Sequence, residues 1–198
     1  FALGSPDELF NRVLDSISKT YASELDLTYS PILEQQIMNK SRRRKEEVIQ
    51  DFRFIVGTII TLASPLSVNG LASLLGVTFN RVLARLRALH SVIDVPNSLN
   101  LPIRMMHLSF RDYLTDIDQK DITQFWVDEK EIHRSLAQQC LNIMSKALRE
   151  NMCGLLFPGV ARSEVDRLDI EKCIPPELQY ACRHWVHHQT FTACEQDD

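Results

Sequence analysis

The feature that most constrains this chain is a change of apolar period between Phe52 and His107, where three helical patterns give way to an alternating one. Phe52, Ile55, Val56, Ile59, Ile60 and Leu62 recur at helical spacing, and the pattern stops at Ala63-Ser64-Pro65. Leu71, Leu74 and Leu75 mark a short second helix that Gly76 closes as its C-cap. Val82, Leu83, Leu86 and Leu89 mark a third, capped by Thr78, and the pair has helix-turn-helix spacing. Then Val92 to Pro96 reads as a strand, Asn97-Ser98-Leu99-Asn100 as a turn and Leu101 to His107 as the return strand. Three helices followed by a hairpin predict a winged-helix domain.

The return strand runs into Met105-Met106-His107-Leu108-Ser109-Phe110-Arg111-Asp112-Tyr113-Leu114. Ile103, Met105 and His107 fall on one face of the alternation, and Arg104, Met106 and Leu108 on the other. Ser109 with Asp112 three residues on has the spacing of a capping box, and Leu108 with Tyr113 that of a hydrophobic staple. This places His107 two residues before a helix start, presented with little freedom. The ordinary use of one histidine on a partly apolar strand is as a hydrogen-bonded core or rim residue, and that alternative stands beside the chemical one.

Helical patterns flank this core. Ser5-Pro6-Asp7-Glu8 is a helix start, followed by Phe10, Val13, Leu14 and Ile17 at helical spacing. Leu25, Leu27, Tyr29, Ile32, Leu33 and Ile37 continue as a second stretch that begins at Ser30 or is kinked there, because Pro31 removes a donor. The basic run Lys40-Ser41-Arg42-Arg43-Arg44-Lys45 meets Glu46-Glu47 at once and reads as a solvated helix face or linker. Beyond Leu114 a polar stretch leads to Phe125-Trp126-Val127. A long amphipathic helix runs from about Glu129 to Leu148, a short helical piece lies near Val165 to Ile170, and Pro175-Pro176 opens a last helix through Trp185. The expected architecture is mainly α: a helical segment over 1–45, a winged helix over 46–115 and an α-helical domain over 116–198.

Composition narrows the function. A net charge of −4 gives no broad pull toward nucleic acid or an anionic membrane. Arg81 and Arg85 share a face of the third helix, but the expected wing from Asn97 to Leu101 carries no Lys or Arg, which argues against DNA. The apolar run Phe54 to Ala63 is too short to span a bilayer. Five cysteines without C-x-x-C spacing suit reduced thiols in the cytoplasm. The chain starts without an initiator Met or a leader, as a piece of a longer protein would.

No catalytic constellation emerges. There is no G-x-x-x-x-G-K loop, and Ser109 near His107 and Asp112 lacks a nucleophile elbow. Cys182, His184, His187 and His188 crowd together, yet Cys182 and His184 lie about 200° apart around a helix, so no metal site is assigned. The expectation is that the chain is not itself an enzyme.

An ordered set of motifs carries a family likeness: Leu66-Ser67 with Leu71 to Gly76, Leu89 to Pro96, His107 to Leu114, Phe125-Trp126-Val127-Asp128 and Leu178 to Trp185. The set resembles the region after the nucleotide-binding domain of fungal NACHT proteins, NOD-like (STAND) signalling NTPases. Many of these carry WD40 repeats downstream, and some act in vegetative incompatibility. The resemblance implies a winged-helix and helical arm that folds over the NTPase module and restrains it, with homo-oligomerisation on activation. It also implies ADP/ATP or GDP/GTP with Mg in the parent protein, and no cofactor held by this chain alone. Met106-His107 resembles the Met-His-Asp signature of plant NOD-like receptors, with Leu108 in place of the acid, and this implies a phosphate contact for His107. A DNA-binding winged helix and a nucleotide-independent helical scaffold are the alternatives.

Overall fold

The helical spacing that runs through most of the sequence is realised as helices, with one short hairpin between them. The computed structural model describes residues 6–96, 98–157 and 159–193. In chain order these form α1 (Pro6–Ile37), α2 (Arg42–Thr61), α3 (Val68–Leu75), α4 (Phe79–Leu86), β1 (Ile93–Asp94), β2 (Arg104–Met105), α5 (Leu108–Thr115), α6 (Glu129–Ala147), α7 (Arg167–Cys173) and α8 (Pro176–Ala193). The protein is therefore mainly α. The expected cap at Ser5 and the turn residue Asn97 lie outside the described residues. Contacts gather the chain into two units, one of residues up to 50 with 107–127, the other of 51–106 with 128 onward.

In the first unit, the two helical stretches expected before residue 38 are one helix. Pro31 lies inside α1 on its exposed side, while Tyr29, Leu33 and Gln36 bury the opposite stripe. Proline removes one donor, and the packing on both sides of it holds the helix together. Phe110 and Tyr113 of α5 pack against Tyr29, with ring centroids 5.1 Å and 5.5 Å away. Tyr113 Oη donates to Asp26 Oδ1 at 2.9 Å. Val127 N–H closes the segment onto the Leu114 carbonyl at 2.8 Å, and Phe125 and Val127 are buried. The basic run opens α2, where Arg42 and Arg43 pair with Glu46 and Glu47 four residues on, all exposed.

The second unit begins with the apolar end of α2, where Phe52, Ile55, Val56 and Ile60 are buried. Ser67 caps α3 by accepting from Gly70 N–H at 3.1 Å. Gly76 ends it at φ 65°, a left-handed conformation that glycine takes without a Cβ penalty, and Val77 N–H reaches back to the Ala72 carbonyl. Thr78 caps α4, so both sides of this turn are fixed by their own side chains or backbone. The hairpin is shorter than its pattern, pairing Ile93 with Met105 and Asp94 with Arg104. A further bridge joins Ser67 to Pro102, with Ile103 N–H donating to the Leu66 carbonyl at 2.9 Å. Asp128 caps α6, whose Ile132, Leu136, Ala137 and Cys140 are buried, and α8 buries Leu178, Tyr180 and Ala181.

Candidate functional site

His107 occupies the N-cap position of α5, with φ −134° and ψ 125°, and its side chain makes no capping bond. It is exposed. The expected local chemistry differs in three respects. The strand ends at Met105, so the alternation does not reach His107. The helix starts at Leu108, which puts Ser109 inside the first turn; its hydroxyl is hydrogen-bonded to Tyr29 Oη at 2.8 Å and caps nothing. Leu108 is 75% exposed and forms no staple with the buried Tyr113. His107 is thus an outward imidazole at a chain corner, neither a core nor a capping residue. Ser109, His107 and Asp112 share the start of one helix without assembling a triad.

The structure brings a different group of side chains together inside the second unit. His133 of α6 lies on the stripe of Leu136, Ala137 and Cys140, and it is buried. His188 of α8 is wholly buried. Their Nδ1 atoms are 2.8 Å apart, and His188 Nε2 is 2.7 Å from Tyr180 Oη. Tyr180 Oη in turn accepts from Ala63 N–H, just past the end of α2.

Two sets of proton positions satisfy this chain of contacts. In the first, Tyr180 Oη accepts from the backbone amide and gives its own proton to His188 Nε2. His188 then carries its proton on Nδ1 and donates to His133 Nδ1. In the second, His133 donates from Nδ1 to His188 Nδ1, and His188 donates from Nε2 to Tyr180 Oη. Burial pushes the His188 imidazole down to about 4, with the neighbouring His133, His187 and His184 adding to the effect. Burial likewise raises the Tyr180 phenol above its ordinary range.

His187 stands at the outer edge of this network, exposed, with its ring centroid 5.7 Å from that of His133 and 5.2 Å from that of His188. One donor atom from each of His133, His187 and His188 lies within 4.8 Å of the others. Phe191 stacks on His133 at 4.2 Å with the rings 5° from parallel, which fixes the plane of that imidazole. His184 points elsewhere, with Nε2 3.0 Å from Ser64 Oγ beside a groove of about 560 Å³ that Arg183 and Glu171 also line. Burial lowers its basicity too. Sequence reading grouped His184, His187 and His188 but missed His133. The available signal was a histidine in register with the apolar stripe of α6.

Arg81 and Arg85 share the face of α4 weighed above for DNA. Arg81 is paired with Asp51 of α2, its Nε donating to Oδ1 at 3.1 Å, and this hydrogen bond raises the guanidinium further above its usual range. The buried Cys140 thiol is pushed up to about 12 by burial, which leaves it a packing residue rather than a nucleophile. Among the described residues, no helix is long and apolar enough to cross a membrane. No family model, curated protein or solved structure matches this chain.

Proposed function

We propose that this chain is the regulatory arm of a NOD-like signalling NTPase, following its nucleotide-binding domain, restraining the nucleotide-bound resting state and relaying opening and oligomerisation. The observation that carries the reading is His107, outward-facing at the exit of the hairpin and unused by its own helix. An imidazole N–H donor in that position is suited to a phosphate oxygen supplied by a neighbouring domain. The order α2, α3, α4, β1, β2, with an isolated bridge from Ser67 to Pro102, is read as a winged helix, and the motif resemblance points the same way. In this reading ADP/ATP or GDP/GTP and Mg belong to the parent's NTPase domain, and a repeat sensor of the WD40 kind follows in a fungal, cytoplasmic protein. This chain carries no catalysis of its own. The DNA-binding alternative loses support from Arg81, whose guanidinium is engaged by Asp51.

The test is made on the parent protein. A charge-assisted hydrogen bond to phosphate contributes about 1.5–3 kcal/mol, so His107→Ala is expected to speed ADP release by roughly one to two orders of magnitude. The same reading frame should encode a G-x-x-x-x-G-K-[S/T] loop upstream. Unchanged ADP dissociation in the variant would return His107 to a surface residue and remove the main support for the assignment.

A further inference from the structure

We propose that His133, His187 and His188 form a binding site for a divalent transition cation of the zinc type, clasping α8 onto α6. Three imidazoles from two helices converge here, their ring centroids 5.0 Å, 5.2 Å and 5.7 Å apart, with one donor atom of each within 4.8 Å of the others. Imidazole nitrogen is the ligand that zinc, copper and nickel prefer, and three such ligands leave a fourth position for water or an outside donor. His187 is exposed and gives the ion a way in, while His133 and His188 are buried and supply the dry wall behind it.

The outer shell is already built. A ligating histidine gives the proton on its other nitrogen to a fixed acceptor, and His188 Nε2 faces Tyr180 Oη at 2.7 Å. Without metal, one proton lies between the two Nδ1 atoms. On binding, the cation takes that place, and His188 moves its single ring proton from Nδ1 to Nε2. Tyr180 oxygen then accepts from His188 and from Ala63 N–H, turning its own hydrogen away. Two ligands at 2.0–2.1 Å in tetrahedral geometry stand about 3.3 Å apart. The two Nδ1 atoms are at 2.8 Å, so the pair must open by about half an ångström. A turn of the His133 ring within its own plane provides this and keeps its stack on Phe191.

A hydrogen-bonded network without metal makes the opposite prediction for each of these measurements. The 198-residue chain is freed of metal with a chelator and titrated with Co²⁺, then with Zn²⁺. The expected result is one equivalent bound, with the visible absorption of four-coordinate cobalt, and a higher melting temperature with zinc. His187→Ala, at an exposed position, should weaken binding about tenfold or more and leave the metal-free melting temperature unchanged. His90→Ala, at an exposed position outside the cluster, should bind as the parent chain does. Absence of cobalt bands together with no zinc-dependent rise in melting temperature would overturn the proposal. So would full affinity in His187→Ala, or loss of binding in His90→Ala.

Discussion

Each unit holds its helices together with a cluster of rings around a buried tyrosine, but one cluster is made of phenyl and phenol rings and the other of imidazoles. In the first, Tyr113 donates to Asp26 while Tyr29 and Phe110 pack beside it, and burial, reinforced by Asp26, pushes the Tyr113 phenol up to about 12. In the second, Tyr180 sits between Ala63 N–H and His188, whose imidazole burial pushes down to about 4. Both are satisfied at neutral pH. They differ in what disturbs them: the Tyr113 phenol already carries its proton at neutral pH, whereas the buried His188 imidazole still has one to take up. The two tryptophans report on the units separately, since Trp126 belongs to the first and Trp185 to the second.

The largest break in this comparison should come from His188→Ala. Removing a wholly buried ring leaves a cavity and strips a hydrogen-bond partner from both Tyr180 and His133, at a cost of roughly 3–5 kcal/mol. Amide exchange in α6 and α8 should quicken strongly, with that of α5 nearly unchanged. Equal acceleration in all three helices would show that the clusters are not independent.

Acid should act next most strongly, and on one side only. The unfolded His188 takes a proton near pH 6.5 and the folded one near 4, so the unfolded state binds more protons between these values. The stability that this residue contributes is complete above about pH 6.5 and is lost as the pH falls toward 4, a change of roughly 3 kcal/mol. In the metal-free chain, urea midpoints followed through Trp185 should drop over this window while those followed through Trp126 hold. Parallel decline of both signals would contradict the contrast.

The smallest effect is expected from Tyr113→Phe. It keeps the ring packing and removes one hydrogen bond to a partly exposed carboxylate, at about 1–2 kcal/mol. The loss should be seen through Trp126 in urea melts, and a shift confined to Trp185 would run against it.

Local signals in the sequence anticipated local structure well. Gly76, Thr78, Glu129 and Pro176 stand where a stop, a cap or a helix start was expected, because each signal acts within one turn. The misreadings come from partners far along the chain. Ser109 has the spacing of a cap, yet its hydroxyl meets Tyr29, 80 residues away. His188 was grouped with its helix neighbours, while its Nδ1 partner His133 is 55 residues earlier on another helix. Periodicity tells which stripe of a helix is buried; it does not tell which stripe lies opposite. Pro31 misled for a related reason, since its lost donor acts locally and the packing of Tyr29 and Leu33 does not.

The passage of the chain through each unit twice bears on how the protein is made. α1 emerges from the ribosome long before α5, so Tyr29 has no ring to pack against until residues 107–127 have been synthesised. At about 5–20 residues per second that wait lasts several seconds. Likewise Ala63 receives its tyrosine only when α8 appears, 117 residues later. Each unit begins before the other is complete, and cutting the chain after residue 106 would leave both without their closing segments. Nascent α1 and α2 therefore spend their first seconds with bare apolar stripes, the exposure that makes incomplete chains prone to aggregate.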